Sequence, residues 1–181
     1  MSTLSMYRSV MGDAFDRLAS PIQQFHSLAG RHELHGEVKV AEPASALAKL
    51  LAVFLGAPLE ARQGPIRFTL LAAPSCETWI RFFPGKTMRS TLTKSGARVV
   101  ERLGASRLTF ELVELAGTLE MHLVKLHFLG MPCPAWLAPT VTARESGGVN
   151  TLHFHIQASL PVIGMVASYT GYLNIPQEAS Q

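Results

Sequence analysis

The sequence predicts a mainly β fold with N-terminal helices (α+β), in which an antiparallel meander of about ten strands forms a closed or strongly curved, barrel-like sheet. Apolar residues recur at helical spacing in segments 5–28 and 45–55, whereas after Pro65 they alternate with a period of two. Glycine or proline marks most junctions between the alternating segments, as is typical of tight turns. We expect one domain over residues 1–181, with an N-terminal helical segment at 5–28 and a β-rich body at 31–175.

The first helix is predicted over residues 5–18, where four apolar residues repeat at helical spacing: Met6, Val10, Ala14 and Leu18. Pro21 follows closely, and a weaker helical pattern runs from residue 22 to 28 and ends before Gly30. A further helix is expected from about residue 45 to 55, because this segment is rich in Ala and Leu and is followed by Gly56.

The first strand is predicted over residues 31–40, RHELHGEVKV, where charged and polar side chains alternate with a mostly apolar set. Beyond Pro65 we expect strands at 66–72, 78–83, 86–94, 97–103, 107–115, 118–128, 140–145, 150–159 and 166–174. Closure into a barrel would remove the exposed edges that such short strands leave. The order resembles ten-stranded intracellular lipid-binding barrels in topology alone, although the extra N-terminal helix departs from them. An open, strongly curved sheet wrapped on the helices is the alternative.

The strand register follows from hairpin loops placed at Pro84-Gly85, Ser95-Gly96, Ala105-Ser106 and Ala116-Gly117. These loops give the pairs Trp79–Ser90, Ser90–Glu101, Glu101–Phe110 and Phe110–Leu123. One face then collects Trp79, Phe83, Met88, Leu92, Val99, Leu103, Leu108, Phe110, Leu112, Leu119, Met121 and Leu123. A one-residue slip would turn a whole strand over, so the agreement between strands supports these faces. Near Val124 the alternation breaks, which predicts a bulge or bend after which Val124, Leu126 and Phe128 continue the apolar set.

Three polar residues interrupt this apolar face: Arg81, Ser90 and Glu101. Two strand spacings, about 10 Å, separate Arg81 from Glu101, so their long side chains could meet over Ser90. One interpretation is a structural ion pair under the helices. Another is a cavity site, in which Arg81 receives an anionic or carbonyl group and Glu101 orients it. A wrong register is the third. Trp79 and Tyr169 complete the candidate ligand-binding set.

The histidine pairs do not predict a metal site. His153 and His155 lie two apart on a predicted strand, but with its polar set and opposite a neutral residue, Thr142. HELH at 32–35 lacks the HExxH spacing of zinc proteases and lies in strand-patterned sequence. No dinucleotide-binding, P-loop or nucleophile-elbow motif occurs. We therefore assign no metal ligand, no cofactor and no catalytic residue, and whether the chain is an enzyme stays open.

Composition excludes some classes of partner. Hydrophobic residues make up 48% and charged residues 16%, which favours a compact fold with a large apolar interior. The net charge is +3, and Lys and Arg are scattered, so we expect no nucleic-acid partner. Cys76 and Cys133 match no metal or redox spacing and are expected to be reduced. Without a signal-peptide pattern or an apolar run of about 18 residues, we expect no membrane span and a cytoplasmic protein.

Two proline-rich apolar segments, 129–139 and 160–164, are expected to cross the end of the sheet, because proline cannot donate to a sheet ladder. Trp136 lies in the first of them and is expected to plug that end of the sheet; a lid is the alternative.

Several short motifs together resemble a bacterial family of unknown function, number 4166, over nearly the whole chain. They are YRSVMGDAFDRL (7–18), the Phe25-His26 pair, WIRFF (79–83), ERLGASRLTFEL (101–112), LGMPCPAWLAP (129–139) and LPVIGMVASYTGYL (160–173). The resemblance implies no established activity and no catalytic residues. It implies an association with redox metabolism at most, because the family also occurs fused behind saccharopine-dehydrogenase-like domains.

Three functions remain open at this point. The leading hypothesis is a β-barrel-like module that binds a small apolar, amphipathic or anionic ligand in its interior. The second is an enzyme that uses Glu101 as acid or base in the same cavity. The third is an interaction domain whose apolar surface around Trp136 docks a dehydrogenase-like protein. A cavity of several hundred Å³ with Arg81 on its wall would favour the first two.

Overall fold

The computed structural model describes residues 4–176, in which antiparallel strands dominate. The strands are β1 (Gly30–Ala41), β2 (Arg62–Ala73), β3 (Cys76–Phe83), β4 (Lys86–Ser95), β5 (Arg98–Leu103), β6 (Ser106–Leu115), β7 (Thr118–Phe128), β8 (Met131–Pro132), β9 (Thr140–Gly147), β10 (Thr151–Leu160) and β11 (Gly164–Asn174). The α-helices are α1 (Met6–Met11), α2 (Ser20–Ser27) and α3 (Ala46–Leu55), and short 3₁₀ helices occupy Gly12–Arg17 and Ala135–Leu137. The predicted strands and the helices predicted over residues 22–28 and 45–55 are present, with ends that differ by a few residues.

Ten of the strands close into a barrel. Consecutive strands pair from β1 to β7, and the ring continues through β9, β10 and β11 back to β1. The two-residue β8 pairs only with the end of β7 and takes no part in the ring. Closure confirms the barrel and excludes the open curved sheet, since every strand of the ring has a partner on both sides.

The junction between β7 and β9 is the shortest pairing in the ring. Only Leu119 and Glu120 of β7 pair with β9, opposite Glu145 and Arg144. Further along, β7 lies beside β8 instead. The barrel wall therefore has the fewest backbone hydrogen bonds between the later part of β7 and the start of β9.

The N-terminal helices close one end of the barrel, called here the N-helix end. The backbone N–H of Ala19 donates to the carbonyl of Gly117 at 2.8 Å, and the ammonium of Lys94 donates to the carbonyl of Ser9 at 3.2 Å. Six apolar side chains of this segment are fully buried or nearly so: Met6, Tyr7, Phe15, Leu18, Ile22 and Phe25. The prediction of one helix over residues 5–18 was wrong, because Gly12 adopts a non-helical backbone with φ +56° and the chain continues as a 3₁₀ helix.

Helix α3 closes the opposite end, called here the α3 end. Its first turn is capped by Ser45, whose Oγ accepts a hydrogen bond from the N–H of Ala48 at 3.1 Å, and it ends at Gly56 with φ +68°. The Phe54 carbonyl accepts a hydrogen bond from the N–H of Ala105, in the β5–β6 hairpin, at 3.0 Å. No described helix is long and apolar enough to cross a membrane.

The predicted register is correct in two hairpins and wrong by two residues in two others. Trp79 pairs with Ser90, and Phe110 with Leu123, as predicted. However, Ser90 pairs with Leu103 rather than Glu101, and Glu101 pairs with Leu108 rather than Phe110. The first of these loops lies one residue later in the chain than predicted, at Gly96-Ala97, and the second lies one residue earlier, at Gly104-Ala105. In both loops the first residue is a glycine with positive φ, a conformation that glycine adopts more readily than other residues.

The predicted bulge in β7 is present. The pairing of β6 with β7 shifts between Thr109–Lys125 and Phe110–Leu123, which leaves Val124 as the extra residue. Val124 itself points outward and is exposed, contrary to its predicted place in the apolar set, whereas Leu126 and Phe128 are half-buried opposite β6.

Candidate functional site

A cavity of about 120 Å³ lies inside the barrel, between the N-terminal helices and the end of α3. Its walls are mainly aromatic and aliphatic, and only four of the lining residues are charged: Arg81, Glu101, Arg144 and Glu145. The volume is below the several hundred Å³ that we expected for a ligand pocket. It is close to the roughly 150 Å³ of an engineered apolar cavity that binds benzene, so one aromatic ring or a short alkyl chain would fill it.

Arg81 and Glu101 meet on the wall of this cavity, as predicted, and Ser90 is buried beside Arg81. The Nη1 of Arg81 donates a hydrogen bond to the Oγ of Ser90 at 3.1 Å. The Nη2 of Arg81 lies 3.5 Å from the Oε1 of Glu101, which is an ion pair but longer than a typical hydrogen bond. The side chains of Arg81 and Glu101 are only 8% and 13% exposed, so both charges lie in a largely dry environment.

The three residues share a face despite the register error. Side chains alternate with a period of two along a strand, so a shift of two residues leaves every side chain on its predicted face. Relative to β4, Glu101 is therefore shifted by two residues, which is the distance to the next side chain on the inner face. It still contacts Arg81 across β4. Their contact and their shared face are as predicted, whereas the predicted cross-strand row through Ser90, Glu101 and Phe110 does not form. Their role in ligand binding stays a prediction.

Aromatic rings surround the guanidinium of Arg81. Its Cζ lies 4.9 Å from the ring centroid of Trp79 and 5.9 Å from that of Phe68. Trp79 and Phe68 themselves meet edge to face, with centroids 5.6 Å apart. These rings hold the arginine by cation–π contact and exclude water from one side of it, which strengthens its attraction for any anion that enters.

Tyr169 of β11 lines the same cavity. Its ring packs edge-on against Phe83 and Phe154, with centroids 5.1 and 6.1 Å away. Burial raises the pKa of the Tyr169 hydroxyl above its ordinary value, the nearby Arg81 opposes this shift and Glu101 adds to it. Tyr169 is therefore a neutral group that can donate a hydrogen bond from the cavity wall.

A second polar cluster, which we did not predict, lies at the N-helix end of the interior. The Nε2 of His26 in α2 lies 2.7 Å from the Oε2 of Glu145 in β9, and both side chains are buried. The ring of Tyr7 stacks on His26 with centroids 3.7 Å apart. The Oε2 of Glu77 accepts a hydrogen bond from the indole N–H of Trp79 at 2.8 Å. This cluster joins the helical segment to the barrel wall just beyond Trp79.

Burial changes the pKa of two groups in this cluster, the carboxyl of Glu77 and the hydroxyl of Tyr7. Burial raises the pKa of Glu77 above the ordinary value of 4.5; the charge of His26 and the hydrogen bond from Trp79 oppose the shift, and the charge of Glu145 adds to it. Burial also raises the pKa of the Tyr7 hydroxyl, and repulsion from Glu77 and Glu145 adds to that shift. In both groups, burial therefore disfavours the charged form relative to its state in water.

The missed residues had partial signals in the sequence. Glu77 precedes Trp79 and Arg81 with a period of two, but the predicted strand began at residue 78 and left it out. Glu145 continues the alternation of Val141 and Ala143 on β9. For His26 there was no such signal, because the periodicity of a helix does not reveal a contact with a strand residue 119 positions later in the chain.

The remaining candidates lie outside the cavity. His153 and His155 are exposed, and His153 pairs with Ser146 rather than with the predicted Thr142. Among the residues that the structure describes, no three potential metal ligands lie together. That the histidines bind no metal stays a prediction.

Trp136 does not plug the barrel. Its side chain is 76% exposed on the 3₁₀ helix that follows β8, because α3 and the hairpins already fill the end that it was expected to close.

Cys76 and Cys133 are both free and half-buried.

Comparison with known proteins places the chain in one family. The family described as domain of unknown function (DUF4166) matches residues 18–173, which include every strand of the barrel except the end of β11. No curated protein matches the chain.

Proposed function

We propose that this chain, which belongs to the DUF4166 family, binds a small amphipathic molecule with an anionic or carbonyl group inside its barrel. The observation that supports this proposal is the buried Arg81 on the wall of an otherwise mainly apolar cavity of about 120 Å³. Ligand pockets typically combine such an apolar lining with a few polar groups that fix orientation.

Arg81 has donors to spare for a ligand. A guanidinium carries five N–H donors, and Arg81 uses one of them on Ser90. Its Nη2 lies 3.5 Å from Glu101, which is longer than a typical hydrogen bond. The remaining N–H groups of Arg81 could therefore donate to a carboxylate or carbonyl of a ligand. Glu101 would then fix the direction of the guanidinium, while Tyr169 of β11 supplies a neutral donor from another part of the cavity lining.

The size of the cavity limits the ligand. A volume of this order holds one aromatic ring or a short alkyl chain. Benzoate and hexanoate match this description, and benzyl alcohol and hexanol are their uncharged counterparts.

Ligand-detected NMR with these four compounds tests the proposal. We expect benzoate or hexanoate to bind at least tenfold more tightly than the matching alcohol, because a charge-assisted hydrogen bond contributes roughly 1.5–3 kcal/mol. Arg81→Met should remove this preference, whereas Arg89→Met, on the outer face of β4, should not. Native mass spectrometry of the freshly purified protein would reveal a natural ligand that co-purifies.

Two results would contradict the proposal: no saturable binding of any of the four compounds, or binding that Arg81→Met leaves unchanged. The enzyme alternative makes a different prediction. If Glu101 transfers a proton, Glu101→Gln should retain binding of the carboxylate but prevent turnover of any compound that the native protein converts.

A further inference from the structure

We propose that the α3 end of the barrel docks onto a membrane surface that contains anionic lipid. The proposal depends on two features of this end, an exposed apolar surface and an excess of basic residues around it. It is independent of what the cavity binds.

The apolar surface is concentrated at this one end. Thirteen large apolar side chains are exposed in the described part of the chain, and eight of them lie on α3 or on the neighbouring loops: Leu47, Leu50, Val53, Phe54, Leu129, Met131, Trp136 and Val162. Helix α3 carries one charged residue, Lys49, and is otherwise apolar. Its Ala48 and Ala52 are buried and Leu51 and Leu55 pack against the core, whereas four large apolar side chains face outward: Leu47, Leu50, Val53 and Phe54. A helix of a water-exposed protein normally carries polar residues on that outer face.

Hydrogen bonds and packing make this surface continuous. The N–H of Ala105 donates to the Phe54 carbonyl, and the N–H of Leu129 donates to the Ala105 carbonyl at 2.9 Å. The rings of Phe54 and Phe128 meet edge to face, with centroids 6.0 Å apart. At the start of the helix, Ser45 donates to the carbonyl of Ile163, next to Val162, at 3.0 Å. Helix α3 thus connects the segment after β7 to the β10–β11 loop.

The charges at this end are mostly positive. The segments that form it contain six basic residues, Lys49, Arg62, Lys86, Arg102, Arg107 and Lys125, and two acidic residues, Glu42 and Glu60. Both acids are paired, with Lys49 and Arg62. The other four basic side chains are exposed and form no ion pair with any residue that the structure describes.

This combination favours a lipid surface over a second copy of the chain. In a symmetric dimer the two patches would face each other and bring the four unpaired basic residues of one copy close to those of the other, where like charges repel. An anionic bilayer instead accepts the apolar side chains of α3 among its acyl chains and the basic rim at its headgroups. Each basic residue near such a surface is expected to strengthen binding about fivefold.

The experiment is co-sedimentation of the full chain with vesicles of phosphatidylcholine alone or mixed in equal parts with phosphatidylglycerol. We expect sedimentation with the anionic vesicles only, weakened by added salt. The two tryptophans separate surface from interior, because Trp79 is buried and Trp136 is exposed. The fluorescence of Trp136 should shift to shorter wavelength on anionic vesicles, and Trp136→Phe should remove that shift.

Matched variants locate the contact. Arg107→Gln with Lys125→Gln should weaken binding by about 25-fold, at fivefold for each charge, and Leu50→Ser should weaken it further. The controls lie at the N-helix end, where Arg98→Gln and Leu115→Ser alter equally exposed residues and should leave binding unchanged.

Three results would overturn the proposal: no sedimentation with anionic vesicles, equal losses in the control variants, or a Trp136 spectrum that anionic vesicles do not change. Size-exclusion chromatography at rising concentration then separates the rival occupants. Self-association that Leu50→Ser abolishes would assign the surface to a second copy, and a monomer that binds no lipid would assign it to a protein partner.

Discussion

The carboxylate of Glu145 lies 2.7 Å from the Nε2 of His26, although 119 positions separate the two residues. His26 belongs to α2 and Glu145 to β9, so this contact fastens the N-terminal helical segment to the barrel wall. Both side chains are almost fully buried, and neither can exchange its partner for water. Glu145 also belongs to the short β7–β9 junction, where it pairs with Leu119.

We expect Glu145→Ala to lower the free energy of unfolding by about 3 kcal/mol, because it leaves a buried histidine without its partner. Glu145→Gln should lower it less, since the amide oxygen can accept the same hydrogen bond. Urea denaturation measures both. Glu111→Ala, on an exposed position of β6, is the control and should change stability by less than about 0.5 kcal/mol. An equally small effect of Glu145→Ala would show that the contact does not hold the helices.

A double-mutant cycle distinguishes a structural role of Arg81 and Glu101 from a binding role. Replacing only one member leaves an uncompensated buried charge, so Arg81→Met and Glu101→Met should each cost about 3–5 kcal/mol. Replacing both by Met should recover much of that loss, because the remaining side chains are apolar and similar in size. Thermal or urea unfolding measures each variant.

The double variant is informative beyond stability. If Arg81 binds a ligand, the double variant should be stable but should bind neither benzoate nor hexanoate in ligand-detected NMR. If each single variant changes the free energy of unfolding by only a few tenths of a kcal/mol, the ion pair neither stabilises the fold nor forms a preorganised binding site.

The sequence predicts this part of the interior for a physical reason. Alternation with a period of two assigns side chains to faces, and an error of two residues in the turns does not change the face. Arg81 and Glu101 were therefore placed correctly on the inner face even though Glu101 pairs with Leu108 and not with Phe110. Closure was predictable in the same way, because an open meander would have exposed its edge strands.

The unpredicted part depends on contacts that no local pattern encodes. His26 and Glu145 meet only because the helical segment folds back over one end of the closed barrel. Trp136 was expected to plug one end of the sheet, because its proline-rich segment was predicted to cross that end, but its side chain is exposed and α3 covers the end instead. Propensity and alternation specify the strands and the faces of their side chains. Whether a residue at an end of the barrel is buried depends instead on how elements that are distant in sequence pack together.

The buried Glu77 predicts a pH dependence of stability. Its pKa is raised in the folded protein above the ordinary 4.5, so the folded state keeps a proton that the unfolded chain releases. Its stabilising contribution is fully present below about pH 4.5 and is lost as the pH rises through the folded pKa, by about 1.4 kcal/mol for each unit of difference.

Urea unfolding from about pH 4 to about pH 7 measures this effect as the difference between the native protein and Glu77→Gln. The amide can still accept the hydrogen bond from Trp79 but cannot ionise. We expect the stability of the native protein to fall relative to Glu77→Gln as the pH rises. The exposed Glu111→Gln should show no such trend, and a difference that stays flat across the range would contradict the raised pKa.

Gly104 allows a test of how α3 is held against the barrel. A Cβ at Gly104 would overlap the carbonyl oxygen of Phe54, so the hairpin backbone approaches the helix too closely for any side chain. Its φ of +53° also disfavours other residues. Gly104→Ala should therefore incur both the backbone strain, about 1 kcal/mol, and the displacement of α3.

Gly96 is the matched control, because it lies in the preceding hairpin with φ +61° and a Cβ there would have no other atom within 4 Å. Gly96→Ala should lose only the strain, so the excess loss in Gly104→Ala measures the clash with α3. We expect that excess to exceed about 1 kcal/mol, and displacement of α3 should also break the hydrogen bond from Ala105 to Phe54. Urea unfolding and amide hydrogen exchange at Ala105 measure the two effects. Equal losses in the two variants would mean that α3 moves aside at little cost, and that the α3 end is the looser of the two closures.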